Sequence, residues 1–245
     1  MKAMILAAGL GTRLKPITDK IPKALVEVDG VPMLERVILS LKAKGFDYIV
    51  VNVHHFAPLI VDLLKSRDYG VDISISDEKE ELLDTGGGIV KASGLLFKYD
   101  DSPVLVHNVD ILSNADLPGL MAGSDSDTTL LVSDRESSRK LIFDANMIIR
   151  GWHDSKHDVY RPAGFPKQFG KEKDTFREYA FSGIYVIGKD AVEEMRILLG
   201  EGKYSVMDYF LSEKRKSNVK GNLSENLRLL DIGKPASLAR ASEFI

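Results

Sequence analysis

The chain has no cysteine among its 245 residues, which removes disulfides, thiolate metal sites and cysteine nucleophiles together and gives no hint of secretion. Nor does one sign of charge dominate: 33 Lys and Arg stand against 36 Asp and Glu, a formal net charge of −3. With no basic block and no interleaved aromatic run, nucleic acid is not an expected partner. Long hydrophobic runs are missing as well. The apolar opening from Met1 to Leu6 meets Gly9, Gly11 and Arg13 too soon for a signal core or a membrane span. The expectation is a soluble, cytoplasmic protein with no membrane partner. What the chain does have is 44% hydrophobic residues, enough to bury a sizeable core at a length that suits one large α/β domain.

Short β-rich runs alternate with helical patterns through the first half: Ala3–Leu6, Met33–Lys44, Tyr48–Val53, Ala57–Ser66, Val71–Ser76, Gly87–Leu96 and Val104–His107. Leu34, Val37, Ile38 and Leu41 fall at helical spacing, Pro32 sits where a first turn tolerates it, and Gly45 ends the helix. Tyr48–Val53 is nearly continuous apolar, as expected of a strand covered on both faces. This alternation predicts a doubly wound, mostly parallel sheet. Ligands of such sheets sit at the carboxyl ends of the strands, where the loop after Leu6 and Asp110 after Val104–His107 both fall. In the second half, Thr128–Ser133, Lys140–Phe143 and Met147–Gly151 read as hairpin strands and 155–173 as a loop. Tyr179–Ile187 reads as a strand, followed by helical stretches at Ala191–Leu199 and Ser205–Lys214, so the sheet becomes mixed.

The most informative segment is Leu6-Ala7-Ala8-Gly9-Leu10-Gly11-Thr12-Arg13-Leu14-Lys15-Pro16, with Pro22-Lys23-Ala24-Leu25-Val26 close behind. A strand that empties into small residues lets backbone N–H groups approach an anion, and Arg13 and Lys23 answer charge on phosphorus. A Walker loop is excluded because no Gly-x-x-x-x-Gly-Lys string occurs. A dinucleotide fingerprint is excluded because Leu14 stands where a third Gly belongs.

L-A-A-G-x-G-T-R-L-x-P followed by P-K-A-L-V resembles the signature of the sugar-1-phosphate nucleotidylyltransferases, which make NDP-sugars. The resemblance implies a Rossmann-like, GT-A-like nucleotidyltransferase fold forming one domain over 1–245, with a nucleotide-binding half at 1–125. The sugar-binding half would be 126–245, carrying a lid built from the hairpin and the 155–173 loop. It implies an in-line attack of a sugar 1-phosphate on a nucleoside triphosphate with loss of pyrophosphate. Arg13 and Lys23 would be catalytic, with Arg13 on the pyrophosphate and Lys23 bridging the two phosphates. Leu6, Ala7, Ala8, Gly9, Gly11 and Thr12 would bind the nucleotide, Mg²⁺ would be the cofactor, and Asp110 and Asp231 its ligands. The segment Leu82-Leu83-Asp84-Thr85-Gly86-Gly87-Gly88 is similar to the form found in N-acetylmuramate-1-phosphate uridylyltransferases and some mannose- or heptose-1-phosphate guanylyltransferases. From it, Thr85, Gly86 and Gly87 would contact the base through backbone amides. Asn108 and Gly183, the latter in Phe181-Ser182-Gly183-Ile184, would face the sugar. UTP and an N-acetylated sugar phosphate are favoured on that resemblance. GTP- or CTP-dependent transfer, a phosphocholine acceptor, and a regulatory nucleotide-binding module without turnover stay open. The chain ends too soon for the C-terminal β-helix of bifunctional relatives, so a second, acetyltransferase activity is not expected.

Two departures from the family pattern bear on specificity. Val109 replaces the usual Gly before the aspartate, either narrowing the acceptor pocket or pointing into the core. Lys234 stands where Thr is common, either near the metal or directed to solvent. Other residues invite plainer readings. The run Asp77-Glu78-Lys79-Glu80-Glu81 reads as a solvated face, Trp152 as packing, Ser137-Ser138-Arg139 as a turn, and His153 and His157 as loop residues. His54-His55 lacks a third ligand at metal spacing and would split between core and solvent.

Overall fold

The computed structural model describes residues 1–124, 127–165 and 175–244. The first half runs β1 (Lys2–Leu6), β2 (Glu27–Val28), β3 (Val31–Pro32), α1 (Met33–Ala43), β4 (Tyr48–Val53), α2 (Ala57–Ser66), β5 (Asp72–Asp77), α3 (Asp84–Leu96), β6 (Val104–Asn108), β7 (Ile111–Ser113) and α4 (Leu117–Ala122). The second half runs β8 (Thr128–Ser133), β9 (Arg139–Phe143), β10 (Ile149–Asp154), β11 (Val159–Arg161), β12 (Arg177–Ile187), α5 (Lys189–Leu199), α6 (Val206–Phe210), β13 (Val219–Leu223), β14 (Leu229–Asp231) and α7 (Pro235–Leu238).

β5, β4, β1 and β6 lie side by side and parallel, and β12 joins the far edge of β6 antiparallel. The central strands β1 and β4 are apolar on both faces because each face meets helices. In β1, Ala3 and Ile5 pack with Leu34, Ile38 and Leu41 of α1, whereas Met4 packs with Ile89 and Val90 of α3. β4 repeats the alternation, with Ile49 and Val51 on the α1 side and Tyr48 and Val50 on the other. Burying such a side chain on both faces contributes roughly 1.5–3 kcal/mol each, which is why continuous apolar runs specify central parallel strands. The doubly wound, mixed sheet expected from the alternation is the observed one.

The second half departs in detail. The segment read as a loop over 155–173 contains β11, paired antiparallel with β10 through Trp152 opposite Arg161 and Asp154 opposite Val159. β10 itself extends to Asp154, so His153 is a strand residue and not a loop residue. Polar composition hid both, because this hairpin is half exposed and does not need apolar alternation. The rest of the proposed lid, 166–173, lies outside the described residues. The helix expected over Ser205–Lys214 closes after Phe210, held at its start by a capping box of Ser205 and Asp208.

Candidate functional site

Register brings the site together. Leu6 at the end of β1 pairs with Asn108 at the end of β6 on one side and with Asn52 of β4 on the other. The glycine loop and the Asn108–Asp110 turn therefore leave the sheet beside each other, stitched by the Val109 amide donating to the Leu6 carbonyl at 3.2 Å. Leu6 is consumed by the ladder, and the Ala7 amide donates to Asn52 Oδ1 at 2.7 Å, so the amides of these two residues are not free for a nucleotide, a correction to the expectation. From Ala8 to Arg13 the backbone amides make no hydrogen bond among the described residues. A methyl group at Gly9 would meet nothing within 4 Å, whereas Gly11, at φ +64°, allows the loop to close over Thr18 and Lys23. Thr18 Oγ1 donates to the Gly11 carbonyl at 2.9 Å and holds that closure. Thr12 and Arg13 lie exposed on the loop. A run of unpaired amides flanked by two cations is a concavity that attracts an anion.

Asp110 and Asp231, far apart in the chain, meet because β14 folds back antiparallel to β7, setting Asp231 opposite Ile111. Asp110 is buried and forms an ion pair through Oδ2 with Lys23 Nζ. Asp231 lies 3.5 Å from Arg13 Nη1 and accepts from the Gly233 amide at 2.8 Å. A methyl at Gly233 would fall 2.6 Å from Arg13 Nη2, 2.8 Å from Asp110 Oδ2 and 2.8 Å from Asp231 Oδ1, so three charged groups converge on one point. Burial pushes the Asp110 carboxyl upward, the Asp231 carboxylate adds to that, and Lys23 opposes both. Burial also works against ionising Asp231, but a hydrogen bond with Asp110, the Gly233 amide and the Arg13 and Lys23 cations outweigh it and hold Asp231 low. No group of three or more His, Cys, Asp or Glu side chains occurs at metal distance among the described residues. A pair of acids beside an open anion cradle fits Mg²⁺, which keeps most of its waters and takes one or two carboxylates plus phosphate oxygens.

Asn108 and Gly183, the two residues expected to face a sugar, are brought together. Gly183, at φ +77°, sits at the irregularity of β12 between Phe181 and Tyr185, and a methyl there would lie 2.6 Å from Asn108 Nδ2. Val109 is 3% exposed and belongs to the core cluster beside Leu105 and Ile111, so of its two readings the core one holds. Lys234 is exposed at the start of α7, directed to solvent.

The three glycines of α3 serve a different end from the one expected. The Gly86 and Gly87 amides donate to the Tyr204 carbonyl at 3.0 and 3.4 Å, and side chains there would collide with Tyr204 and with the Gly202 carbonyl. They are packing glycines against 202–204, and their amides are not free for a base. Thr85 Oγ1 likewise accepts from the Val206 amide at 2.9 Å, which caps α6. Gly88 makes room for Glu78, whose expected solvated position is wrong: Glu78 is 0% exposed. Its carboxylate accepts from Asn52 Nδ2 at 2.7 Å and from the Leu83 amide at 2.9 Å, and burial pushes its pKa up against those bonds. Glu78 thus orients Asn52, which in turn holds Ala7. The available signal was Asn52, a lone amide inside an otherwise apolar strand. His54 and His55 are both half-buried and do not split between core and solvent, His54 Nδ1 bonding the Glu78 carbonyl at 2.7 Å.

Arg135 was also missed. β8 runs antiparallel to β12, which runs antiparallel to β6, so Arg135 just past β8 leaves the same end of the sheet as Asp110. Burial lowers its pKa, while the charge of Asp231 supports its protonation. A cation immediately after a strand's carboxyl end was the readable signal.

Residues 2–138 match the family model described as nucleotidyl transferase. Over 111 residues, 44% of this chain and 45% of the relative, the sequence is 46% identical to an N-acetylmuramate alpha-1-phosphate uridylyltransferase of Caulobacter vibrioides. It is 37% identical over 145 residues, 57% of the chain and 39% of the relative, to a mannose-1-phosphate guanyltransferase of Schizosaccharomyces pombe. The chain thus spans less than half the length of these curated relatives. Among solved structures, HddC from Yersinia pseudotuberculosis superposes with TM-score 0.76 at 25% identity, covering 99% of this chain and 98% of that one.

Proposed function

This chain belongs to the nucleotidyl transferase family, and from that premise we propose that it joins a sugar 1-phosphate to a nucleoside triphosphate, releasing pyrophosphate. The observation that carries the reading is the row of unpaired amides from Ala8 to Arg13, which opens beside the convergence of Arg13, Lys23, Asp110 and Asp231. In-line phosphoryl transfer depends on positioning and on stabilising charge, and needs no protein nucleophile. A sugar phosphate is already ionised near neutral pH, so no general base is required either.

In this reading the amides of residues 8–12 hold the triphosphate, and Arg13 takes the pyrophosphate as charge accumulates on it. Lys23 sits between the α-phosphate and the attacking sugar phosphate, bringing two anions within reach. Asp110 keeps Lys23 in place before substrate arrives. Asp110 and Asp231 would hold Mg²⁺, which supplies charge neutralisation for the phosphates. Asn108 and Gly183 face the acceptor, and the halves 1–125 and 126–245 divide nucleotide from sugar. The base is recognised by groups other than the Gly86 and Gly87 amides, which are occupied.

UTP with an N-acetylated sugar 1-phosphate is favoured, following the name of the Caulobacter relative, and GTP with a mannose-type acceptor follows the name of the Schizosaccharomyces one. Four nucleoside triphosphates assayed against a panel of sugar 1-phosphates by pyrophosphate release decide between them. Release with no pair would overturn neither fold nor family but would end the transferase reading in favour of a regulatory binding module.

A further inference from the structure

Two buried backbone donors stand at the carboxyl end of the sheet with two side chains between them. At one end the Ala7 amide, which leads into the glycine loop, donates to Asn52 Oδ1 at 2.7 Å. At the other the Leu83 amide, at the head of α3, donates to Glu78 Oε2 at 2.9 Å. Asn52 Nδ2 closes the gap by donating to Glu78 Oε1 at 2.7 Å. The relay therefore joins the ends of β1, β4 and β5 to the start of α3. Glu78 is 0% exposed and Asn52 2%. A methyl at Gly88 would lie 2.6 Å from Glu78 Oε1 and 3.0 Å from Asn52 Nδ2, so the backbone of α3 packs directly against both.

Counting donors decides which residue types this relay accepts. Both of its ends are N–H groups, which only donate, and a primary amide offers one accepting edge and one donating edge. With the Asn52 oxygen committed to Ala7, its NH₂ edge faces position 78, which must accept there and again from Leu83. Only a carboxylate does both. The start of α3 and the charge of Lys91 favour the ionised form. An amide at position 78 would set its own NH₂ against Leu83 or against Asn52. If Asn52 turned over to accept from it, the Asn52 NH₂ would face the Ala7 amide. The mismatch would thus travel to the root of the glycine loop, where a buried unmet donor bears its full desolvation penalty.

We propose that Glu78 is a positioning residue for the phosphate cradle: its carboxylate fixes the polarity of Asn52, and Asn52 fixes the Ala7 amide, from which residues 8–12 present their free amides to the triphosphate. What the cradle holds is taken from the transferase reading, so binding and turnover are measured separately. The binding probe is inorganic tripolyphosphate with magnesium, titrated by calorimetry into the full chain. Turnover is pyrophosphate release with the nucleoside triphosphate and sugar 1-phosphate that the parent uses. Three variants of nearly unchanged shape are compared: Glu78→Gln, Asn52→Asp, and the two together. The first single variant sets donor against donor, and the second sets carboxylate against carboxylate. The double variant satisfies every group again. Its carboxylate at position 52 accepts from Ala7 and from the amide at position 78, whose oxygen accepts from Leu83.

Each single variant should weaken tripolyphosphate binding about tenfold or more, the scale of a mismatched buried hydrogen bond. The KM of the nucleoside triphosphate should rise by a similar factor, while that of the sugar phosphate stays within about twofold. The double variant should return to within about threefold of the parent in both measurements, because the two changes are coupled through one bond. A double variant no better than the worse single one refutes the positioning role, and so does a Glu78→Gln protein that matches the parent in tripolyphosphate affinity and nucleotide KM. Single variants that raise both KM values equally and melt earlier refute it too, since that is the mark of a merely structural loss. The same polarity pattern in tripolyphosphate binding, without pyrophosphate release from any protein, upholds the positioning role and removes the transferase reading. Neither binding nor turnover in the parent refutes both.

Discussion

Gly233→Ala is the substitution that tests the site's geometry most directly, because it adds one methyl and removes no functional group. The new carbon would stand 2.6 Å from Arg13 Nη2 and 2.8 Å from both Asp110 Oδ2 and Asp231 Oδ1. Ordinary contacts of this type begin near 3.4 Å, so each group must retreat by roughly 0.6–0.8 Å. The three do not yield equally. The Arg13 side chain is 52% exposed and can swing into water, whereas that of Asp110 is 9% exposed and tied to Lys23. The strain therefore falls on the two carboxylates and on the Gly233 amide that holds Asp231. A displacement near 1 Å at a reacting centre costs about a hundredfold, so kcat for pyrophosphate release should drop about ten- to a hundredfold. The melting temperature should move by only a few degrees, because Gly233 caps no core strand. The assay is steady-state turnover across a magnesium titration, with thermal unfolding as the control. A variant within threefold of the parent kcat at every magnesium concentration, with unchanged stability, would mean that the spacing of Asp110 and Asp231 is irrelevant to turnover.

Lys23→Ala removes the cation proposed to bridge the two phosphates and should lower turnover about a hundred- to a thousandfold, measured by pyrophosphate release from protein with unchanged circular dichroism; more than a tenth of the parent rate would exclude Lys23 from the chemistry. Val109→Gly empties a core position and should cost about 2–4 kcal/mol of stability in denaturant melts, with the ranking of acceptor sugars unchanged; an altered ranking would put Val109 in the acceptor pocket. Burial pulls the His107 imidazole down to about 4 from its ordinary 6.5. Between those values the unfolded chain binds a proton that the folded one refuses, so stability falls as pH drops from 6.5 toward 4. The loss amounts to at most on the order of 3 kcal/mol, and His107→Gln should flatten it; a stability difference between variant and parent that is constant from pH 7 to pH 4.5 would contradict this.

The doubly wound sheet was legible because burial on two faces demands continuous apolar strands such as Tyr48–Val53, and helices between them show their period in residues such as Leu34, Val37, Ile38 and Leu41. The run of unpaired amides after β1 was legible for a related reason. Small residues directly after a strand leave backbone donors unpaired, and this follows from local geometry alone. Sequence could also name Asp110 and Asp231 as acids at strand ends.

What it could not do is tell an open glycine from a packed one. Gly9 and Gly87 look alike in the chain, yet one faces empty space and the other the Gly202 carbonyl. Sequence likewise could not separate Glu78, sealed beneath Asn52, from the exposed Lys79 and Glu80 next to it. Backbone direction and side-chain chemistry are written locally, and the chain determined them by itself: a strand, a loop of free amides, two cations and two acids. Which of those groups face each other depends on register between strands distant in sequence, as when β14 turns Asp231 back onto Asp110, and which polar groups are already satisfied depends on neighbours that only the folded chain supplies.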